Sequence, residues 1–161
     1  MQQDQPVNMT IELTQEGFDE LKLELEELRT AKLPAVIERV ARAREHGDLS
    51  ENAEYHSARD DQQLLEARIE EIESILAKAV VVKQTSNHNK VGMGSTVTLQ
   101  KTGQKSKMTI TIVGEFEADP AENKVSGASP LGKAVMNKKK GDKVVVHAPV
   151  GDSEYTILDI K

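Results

Sequence analysis

Two carboxylates three residues apart, Asp48 and Glu51, stand in the string Arg42-Ala-Arg-Glu-His-Gly-Asp-Leu-Ser-Glu-Asn-Ala-Glu-Tyr-His56. At the start of a helix that spacing puts both carboxylates on one face, close together. Two neighbouring hard oxygen ligands suit Mg²⁺, which keeps several waters and takes one or two protein carboxylates. Two such groups do not close a metal cage, so a tight site draws its remaining ligands from phosphate, from water or from a partner protein. The same pair also reads as a capping box, with Asp at N-cap in place of Ser or Thr and Glu at N3. Acidic residues in a first turn complement the helix dipole as well. The two readings are compatible, because a cap can sit at a functional tip.

The residues around the pair have chemistry of their own. His46 and His56 flank it and are either ligands or acid–base groups, or exposed helix residues that solvate the surface. Arg42, Arg44 and Arg59 lie close by. Arg44 and Arg59 are about equally far from the turn on opposite sides of it. Either they meet there as a basic spot that holds a phosphate, or they pair with Glu45, Asp60 or Asp61.

The elements that position these residues follow from periodicity. Phe18, Leu21, Leu25 and Leu28 are spaced 3, 4, 3, a heptad seam with Glu and Lys around it. Thr14 is the expected N-cap. The seam then slips: Lys32 falls where an apolar residue is due, and Leu33, Ile37 and Val40 resume one position later. Pro34 sits at the slip and leaves the carbonyl of Thr30 without its helical partner, which predicts a kink or local break. A second run over residues 50–79 carries Leu65, Ile69, Ile72, Leu76 and Ala79 at spacings 4, 3, 4, 3, thinning backward to Gln62, Ala58 and Tyr55. Residues 46–49 between the runs include Gly47, suited to a left-handed helix end. A connection that short joins antiparallel neighbours. The expectation is a two-helix hairpin with its tip in water, each arm roughly 45 Å long at about 1.5 Å per residue. Heptads alone are equally the mark of a spacer or dimerisation element.

Charge divides the chain in the same place. Residues 1–83 hold 10 Lys+Arg and 19 Asp+Glu, whereas residues 84–161 hold 11 and 8. Two units with different partners are expected, 1–83 and 84–161. Residues 84–90 read as a polar linker. Beyond it, strands are expected at 96–99, 108–113, 124–126, 143–147 and 155–160, with turns at Gly103 and at Gly151-Asp152. One helix is expected over 130–139, with Ser129 as N-cap and Pro130 at N1. This is an α+β unit, a twisted antiparallel sheet covered by one helix. Lys138, Lys139, Lys140 and Lys143 cluster there, as a nucleic-acid patch or as a solvated helix end whose cations complement the dipole.

Composition removes several classes. The 161 residues contain no Cys, which excludes disulfides, thiolate zinc sites, iron–sulfur ligation and cysteine nucleophiles. Aromatic residues are 2% with no Trp, too few for base-stacking modules. The longest apolar run is 79–82, too short for a membrane span. Residues 1–8 carry no basic-then-apolar signal pattern. A cytoplasmic protein without a membrane partner is expected.

The string Ala43-Arg-Glu-His-Gly-Asp-Leu-Ser-Glu-Asn-Ala-Glu-Tyr-His56 closely resembles the tip motif of the Gre transcript-cleavage factors, the transcription elongation factors of bacterial RNA polymerase, the A type in particular. The resemblance covers essentially the whole chain. Thr14-Gln-Glu-Gly-Phe-Asp-Glu-Leu21 resembles the family's opening, Ser129-Pro-Leu-Gly-Lys-Ala-Val-Met136 with Gly141-Asp142 its C-terminal helix region, and Pro149-Val-Gly-Asp-Ser-Glu-Tyr155 its closing hairpin. The resemblance implies an N-terminal coiled coil that enters the polymerase secondary channel. It implies that Asp48 and Glu51 are the acidic tip pair, which helps hold a second Mg²⁺ and position the attacking water. The first Mg²⁺ and most of the catalytic site belong to the polymerase, so no ion is expected on the isolated chain. The implied reaction is endonucleolytic cleavage of backtracked RNA, which leaves a new 3′ end in register. Arg44 and Arg59 fall where the A type contacts the extruded RNA. The C-terminal domain is implied to be FKBP-like without isomerase activity and to grip a polymerase coiled coil through Asp119, Ser129, Pro130 and Leu131.

The competing readings are a channel-plugging regulator of the same fold without chemistry, and an independent FKBP-type isomerase. The second needs an aromatic-lined pocket, and residues 84–161 hold only Phe116 and Tyr155. Relatives that inhibit polymerase have an altered acidic tip. This tip keeps Asp-x-x-Glu, which favours stimulation of cleavage. A free-standing metal hydrolase is disfavoured, because no closed ligand cluster or Ser/His/Asp set appears.

Overall fold

A computed structural model describes residues 10–48, 50–83 and 89–161. Two compact units divide it. One is Phe18–Lys78; the other comprises the described residues on either side. The sequence boundary expected at 83/84 runs along the chain, whereas these units separate at 17/18 and 78/79. Most of the expected linker, 84–88, lies outside the described residues, as does the N-terminal stretch 1–8.

The helical unit is the expected hairpin. Its first arm is α1 (Gln15–Glu27), a π-helical turn (Leu28–Lys32) and α2 (Leu33–Arg44), without interruption. Its second arm is α3 (Ala53–Lys78). Of the kink or local break expected at Pro34, the break is absent. Instead the amide of Leu33 donates to the carbonyl of Leu28, five residues back, and Pro34 sits in the first turn of α2, where its missing N–H matters least. A π turn adds one residue to the helix, and one residue is the amount by which the heptad seam slips. Past the turn the buried line runs through Val40 and Ala43. Ile37, expected on the seam, is 48% exposed, while Val36 is half-buried. On α3 the expected line holds through Ala58, Ile69 and Ile72, and Ile75 is also buried. The arm stops at Lys78 because residues 79–81 leave the helix as β2.

Ion pairs lace the exposed flanks of the hairpin. Arg68 on α3 binds Glu24 on α1 through Nε (2.8 Å) and Nη2 (2.9 Å), and its third nitrogen reaches Glu71 at 2.7 Å. Arg68 draws the Glu24 carboxyl below its ordinary range against a smaller opposing desolvation. Arg29 pairs with Glu73.

The second unit holds two sheets. β1 (Ile11–Leu13) and β2 (Ala79–Val81) form a short parallel pair, two strands not anticipated from the sequence. The main sheet contains β3 (Thr96–Lys101), β4 (Lys107–Val113), β5 (Lys124–Ser126), β6 (Lys143–Ala148) and β7 (Gly151–Ile160), in the order β5-β4-β3-β7-β6. The sheet is antiparallel as expected except at one edge, where β5 runs parallel to β4. Gly103 and Gly151 turn the two hairpins with φ of +82° and +122°. The expected helix is present as α4 (Pro130–Val135), shorter than the expected 130–139. Met136 turns to extended backbone and Asn137 takes a left-handed φ of 61°. The core joins Val97, Leu99, Ile110, Ile112 and Ile157 to Val135 of α4. Burying such side chains contributes about 1.5–3 kcal/mol each.

Thr14 caps α1 as expected: the Gly17 amide donates to its hydroxyl at 3.1 Å. Glu117 completes that site. It accepts from the Thr14 amide at 2.9 Å, from the Thr14 hydroxyl, and from the Gly114 amide at 3.2 Å. A Cβ at Gly17 would overlap the Glu117 carboxylate.

Candidate functional site at the hairpin tip

The tip is the loop 45–52 between α2 and α3, of which residue 49 lies outside the described residues. α2 ends with Glu45 at C-cap, and Gly47 takes a φ of +108° two positions on, a conformation that favours glycine. The connection is longer than the expected four residues because α3 starts later than expected. Asp48 and Glu51 therefore precede the helix rather than occupy its first turn.

That correction removes the capping box. The N-cap of α3 is Asn52: the Tyr55 amide donates to its Oδ1 at 3.0 Å, three residues on. The other end of the same side chain donates from Nδ2 to the Ala43 carbonyl at 2.7 Å. One amide thus satisfies an orphan donor of α3 and adds a second donor to the Ala43 carbonyl, which also accepts from the His46 amide at 3.3 Å. The sequence signals Asn52 only as an Asn before a helical run, a start signal that Asp48 offers equally.

Freed from capping, the two carboxylates are exposed. Asp48 Oδ1 accepts from the Ser50 hydroxyl at 2.7 Å and from the Ser50 amide at 3.0 Å. These bonds, the hydroxyl first, hold the Asp48 carboxyl below its ordinary range. Its second oxygen is not engaged by Ser50. Asp48 is thus oriented through one oxygen, and Glu51, three residues on in sequence, is also exposed; carboxylate oxygens are the hard donors that Mg²⁺ takes. Among the described residues no group of three or more His, Asp or Glu side chains forms a closed metal site.

Each of the two basic residues has a contact of its own. The Arg44 guanidinium lies over the Tyr55 ring, 5.7 Å from its centroid, a cation–π contact between α2 and α3. Tyr55 also meets His56 edge to face at 5.5 Å. Arg59 donates to Gln62 on its own helix at 2.9 Å. Asp61, offered as a partner for these two, binds Arg39 instead. Arg39 donates from Nε to Glu54 (2.8 Å), from Nη1 to Asp61 (2.8 Å) and from Nη2 to Ser57 (3.3 Å). The Asp61 bond above all raises its pKa, with Glu54 adding to it. The sequence does not single out Arg39, because nothing in a linear pattern tells which of four arginines between 39 and 59 faces the opposite helix.

In the sheet unit the four expected contact residues flank one edge strand, β5. Asp119 caps a 3₁₀ turn, Pro120–Glu122, by accepting from the Ala121 amide at 2.8 Å, and it bridges Lys124 through both backbone groups. Ser129 caps α4, accepting from the Gly132 amide at 3.0 Å and donating to the Ser126 carbonyl at 2.7 Å. Pro130 is exposed, and Leu131 is half-buried against the core. The lysine cluster is partly paired: Lys140 binds Asp159 at 3.0 Å and Lys143 lies 3.8 Å from Glu154.

The fold is thus a long antiparallel hairpin with exposed carboxylates in its connecting loop, continuous in chain with a small sheet unit. Residues 11–81 match the family described as transcription elongation factor, N-terminal, and residues 85–161 match transcription elongation factor, GreA/GreB, C-term. The chain belongs to the GreA/GreB family of transcription elongation factors. It is 47% identical over 153 residues to transcription elongation factor GreA of Pelobacter propionicus and 45% identical over 151 residues to GreA of Paracoccus denitrificans. Each alignment covers 94% of this chain and 97% of the relative. Among solved structures, the GreA factor homolog 1 (Gfh1) protein of Thermus thermophilus aligns at 27% identity and a TM-score of 0.44, over 94% of this chain and 99% of that one. Among the described residues no helix is long and apolar enough to cross a membrane.

Proposed function

We propose that this elongation factor inserts its hairpin into the secondary channel of bacterial RNA polymerase and stimulates endonucleolytic cleavage of backtracked RNA, which rescues arrested complexes. The observation that carries the reading is the tip. Asp48 and Glu51 stand exposed on a loop whose ends are pinned by Asn52, at the end of a hairpin too slender to enclose a site. Carboxylates placed there serve a site completed by another molecule.

Asp48 and Glu51 are the residues that would hold a Mg²⁺ shared with the polymerase. When bound, that ion supplies charge stabilisation and activation of water, as in two-metal hydrolysis. Ser50 keeps Asp48 ionised and directed through one oxygen. Arg44, stacked on Tyr55, and Arg59 contribute positive charge near the RNA 3′ end. Asp119, Ser129, Pro130 and Leu131, gathered beside β5, hold the sheet unit on the polymerase near the channel entrance. The chain is a donor of ligands to the polymerase's own activity rather than an enzyme by itself, and that partner places it in the cytoplasm.

The test is RNA cleavage in stalled, backtracked complexes with Mg²⁺, comparing the parent with Asp48→Asn plus Glu51→Gln. The expected result is that the parent shortens the RNA while the variant binds and does not. If neither cleaves, yet both bind and slow elongation, the chain is a channel plug.

A further inference from the structure

The helix interface thins toward the tip. The buried residues nearest it, Ala43 of α2 and Ala58 of α3, are alanines, and small knobs specify little about how far one helix slides along the other. The polar contact beside them is specific. Arg39 stands one turn before Ala43, and its three nitrogens reach Glu54, Ser57 and Asp61 at 2.8, 3.3 and 2.8 Å. Those acceptors are spaced 3 and 4 along α3 and so form one stripe on its first three turns.

We propose that Arg39 is a positioning residue that sets the axial register of α3 against α2, and through it the placement of Glu51 relative to Asp48. This rests on the reading of Asp48 and Glu51 given above. The loop that carries the carboxylates is tethered at its helix ends by Asn52 to Ala43 and, one turn below, by Arg39 to the α3 stripe. Exposed ion pairs add little stability, so the role of the clamp is geometric. It needs the planar fork: lysine offers one nitrogen and cannot span three acceptors two helical turns apart.

The experiment has two arms on the full chain. In the first, cleavage is titrated with factor in backtracked complexes for Arg39→Ala, Arg39→Lys, and the exchange Arg39→Glu with Asp61→Arg. The maximal rate at saturating factor is expected to fall about tenfold for both single variants, as misplacement of a reacting group does. The half-saturating concentration is expected to stay within about twofold, because the sheet unit's contacts are untouched, and the exchange recovers a substantial part of the rate. In the second arm, amide exchange on the free protein at residues 50–57 accelerates in Arg39→Ala while exchange in the β3–β7 sheet does not. An unchanged maximal rate, full rescue by lysine, or unchanged exchange at 50–57 overturns the proposal. If Asp48→Asn plus Glu51→Gln cleaves like the parent, it is the donated-carboxylate reading that fails, and the exchange arm then judges the clamp by itself.

Discussion

The side-chain amide of Asn52 spans two helix ends, giving a proton to the Ala43 carbonyl at 2.7 Å while its oxygen accepts from the Tyr55 amide at 3.0 Å. Both bonds need an amide; no other side chain of that size offers a donor and an acceptor back to back. Asn52→Asp keeps the cap and loses the bond to Ala43, whereas Asn52→Ala loses both. Thermal melts of the helical signal are expected to rank Asn above Asp above Ala, with alanine costing about 1–2 kcal/mol. Equal stability of Asn and Ala would mean that the tip is held without this side chain.

The π turn at Leu28–Lys32 makes a second expectation sharp. Deleting Ala31 removes the extra residue and brings Leu28, Leu33, Val36, Val40 and Ala43 onto an uninterrupted 4, 3, 4, 3 line. Regular α-helix there would drive the Pro34 ring into the carbonyl four residues back, at a cost of about 3 kcal/mol. Deletion of Ala31 alone should therefore destabilise the hairpin. The same deletion with Pro34→Ala should melt at or above the parent. A double variant no better than the single deletion would show that the π turn answers to something other than Pro34 and the seam.

In the sheet unit, Gly132 lies where a Cβ would overlap the Ser126 carbonyl and press on Gly127. Both obstacles are backbone, and Ser126 is held by the Ser129 hydroxyl and amide, so neither can step aside. Gly132→Ala is expected to lower stability by about 2–3 kcal/mol, read from the denaturant midpoint of a fluorescent label on β7. A change below about 0.5 kcal/mol would mean that α4 shifts freely on the sheet.

Acid should loosen the hairpin through Glu24. Arg68 holds its carboxyl below the ordinary 4.5. The pair's contribution is therefore fully present above pH 4.5 and disappears as pH falls through the lowered value. Because both side chains are more than a third exposed, the effect is modest. Arg68→Met should lose that part of the pH dependence, so its urea midpoint falls less than the parent's between neutral pH and acid. Parallel curves for the two chains would contradict the expectation.

The sequence by itself determined the hairpin, its heptad lines apart from Ile37, the Thr14 and Ser129 caps and the two hairpin glycines, because each is a local preference or a short-range period that needs no distant partner. It also showed the one-residue slip in the first arm, although not its form. Whether a helix absorbs an extra residue by breaking or by widening depends on what the seam must stay against, and the facing helix supplies that. The acidic pair was legible as a pair, but its setting was not. Asp48 as N-cap and Asn52 as N-cap are both good local chemistry, and the choice went to Asn52 because only its amide also reaches Ala43 across the hairpin. The parallel β1–β2 pair and the Glu117 clasp on Thr14 join residues about seventy and one hundred positions apart. The selection of Arg39 over Arg44 and Arg59 as the arginine that grips Glu54 and Asp61 has the same origin. Such contacts depend on which surfaces packing brings together, and that only the tertiary structure decided.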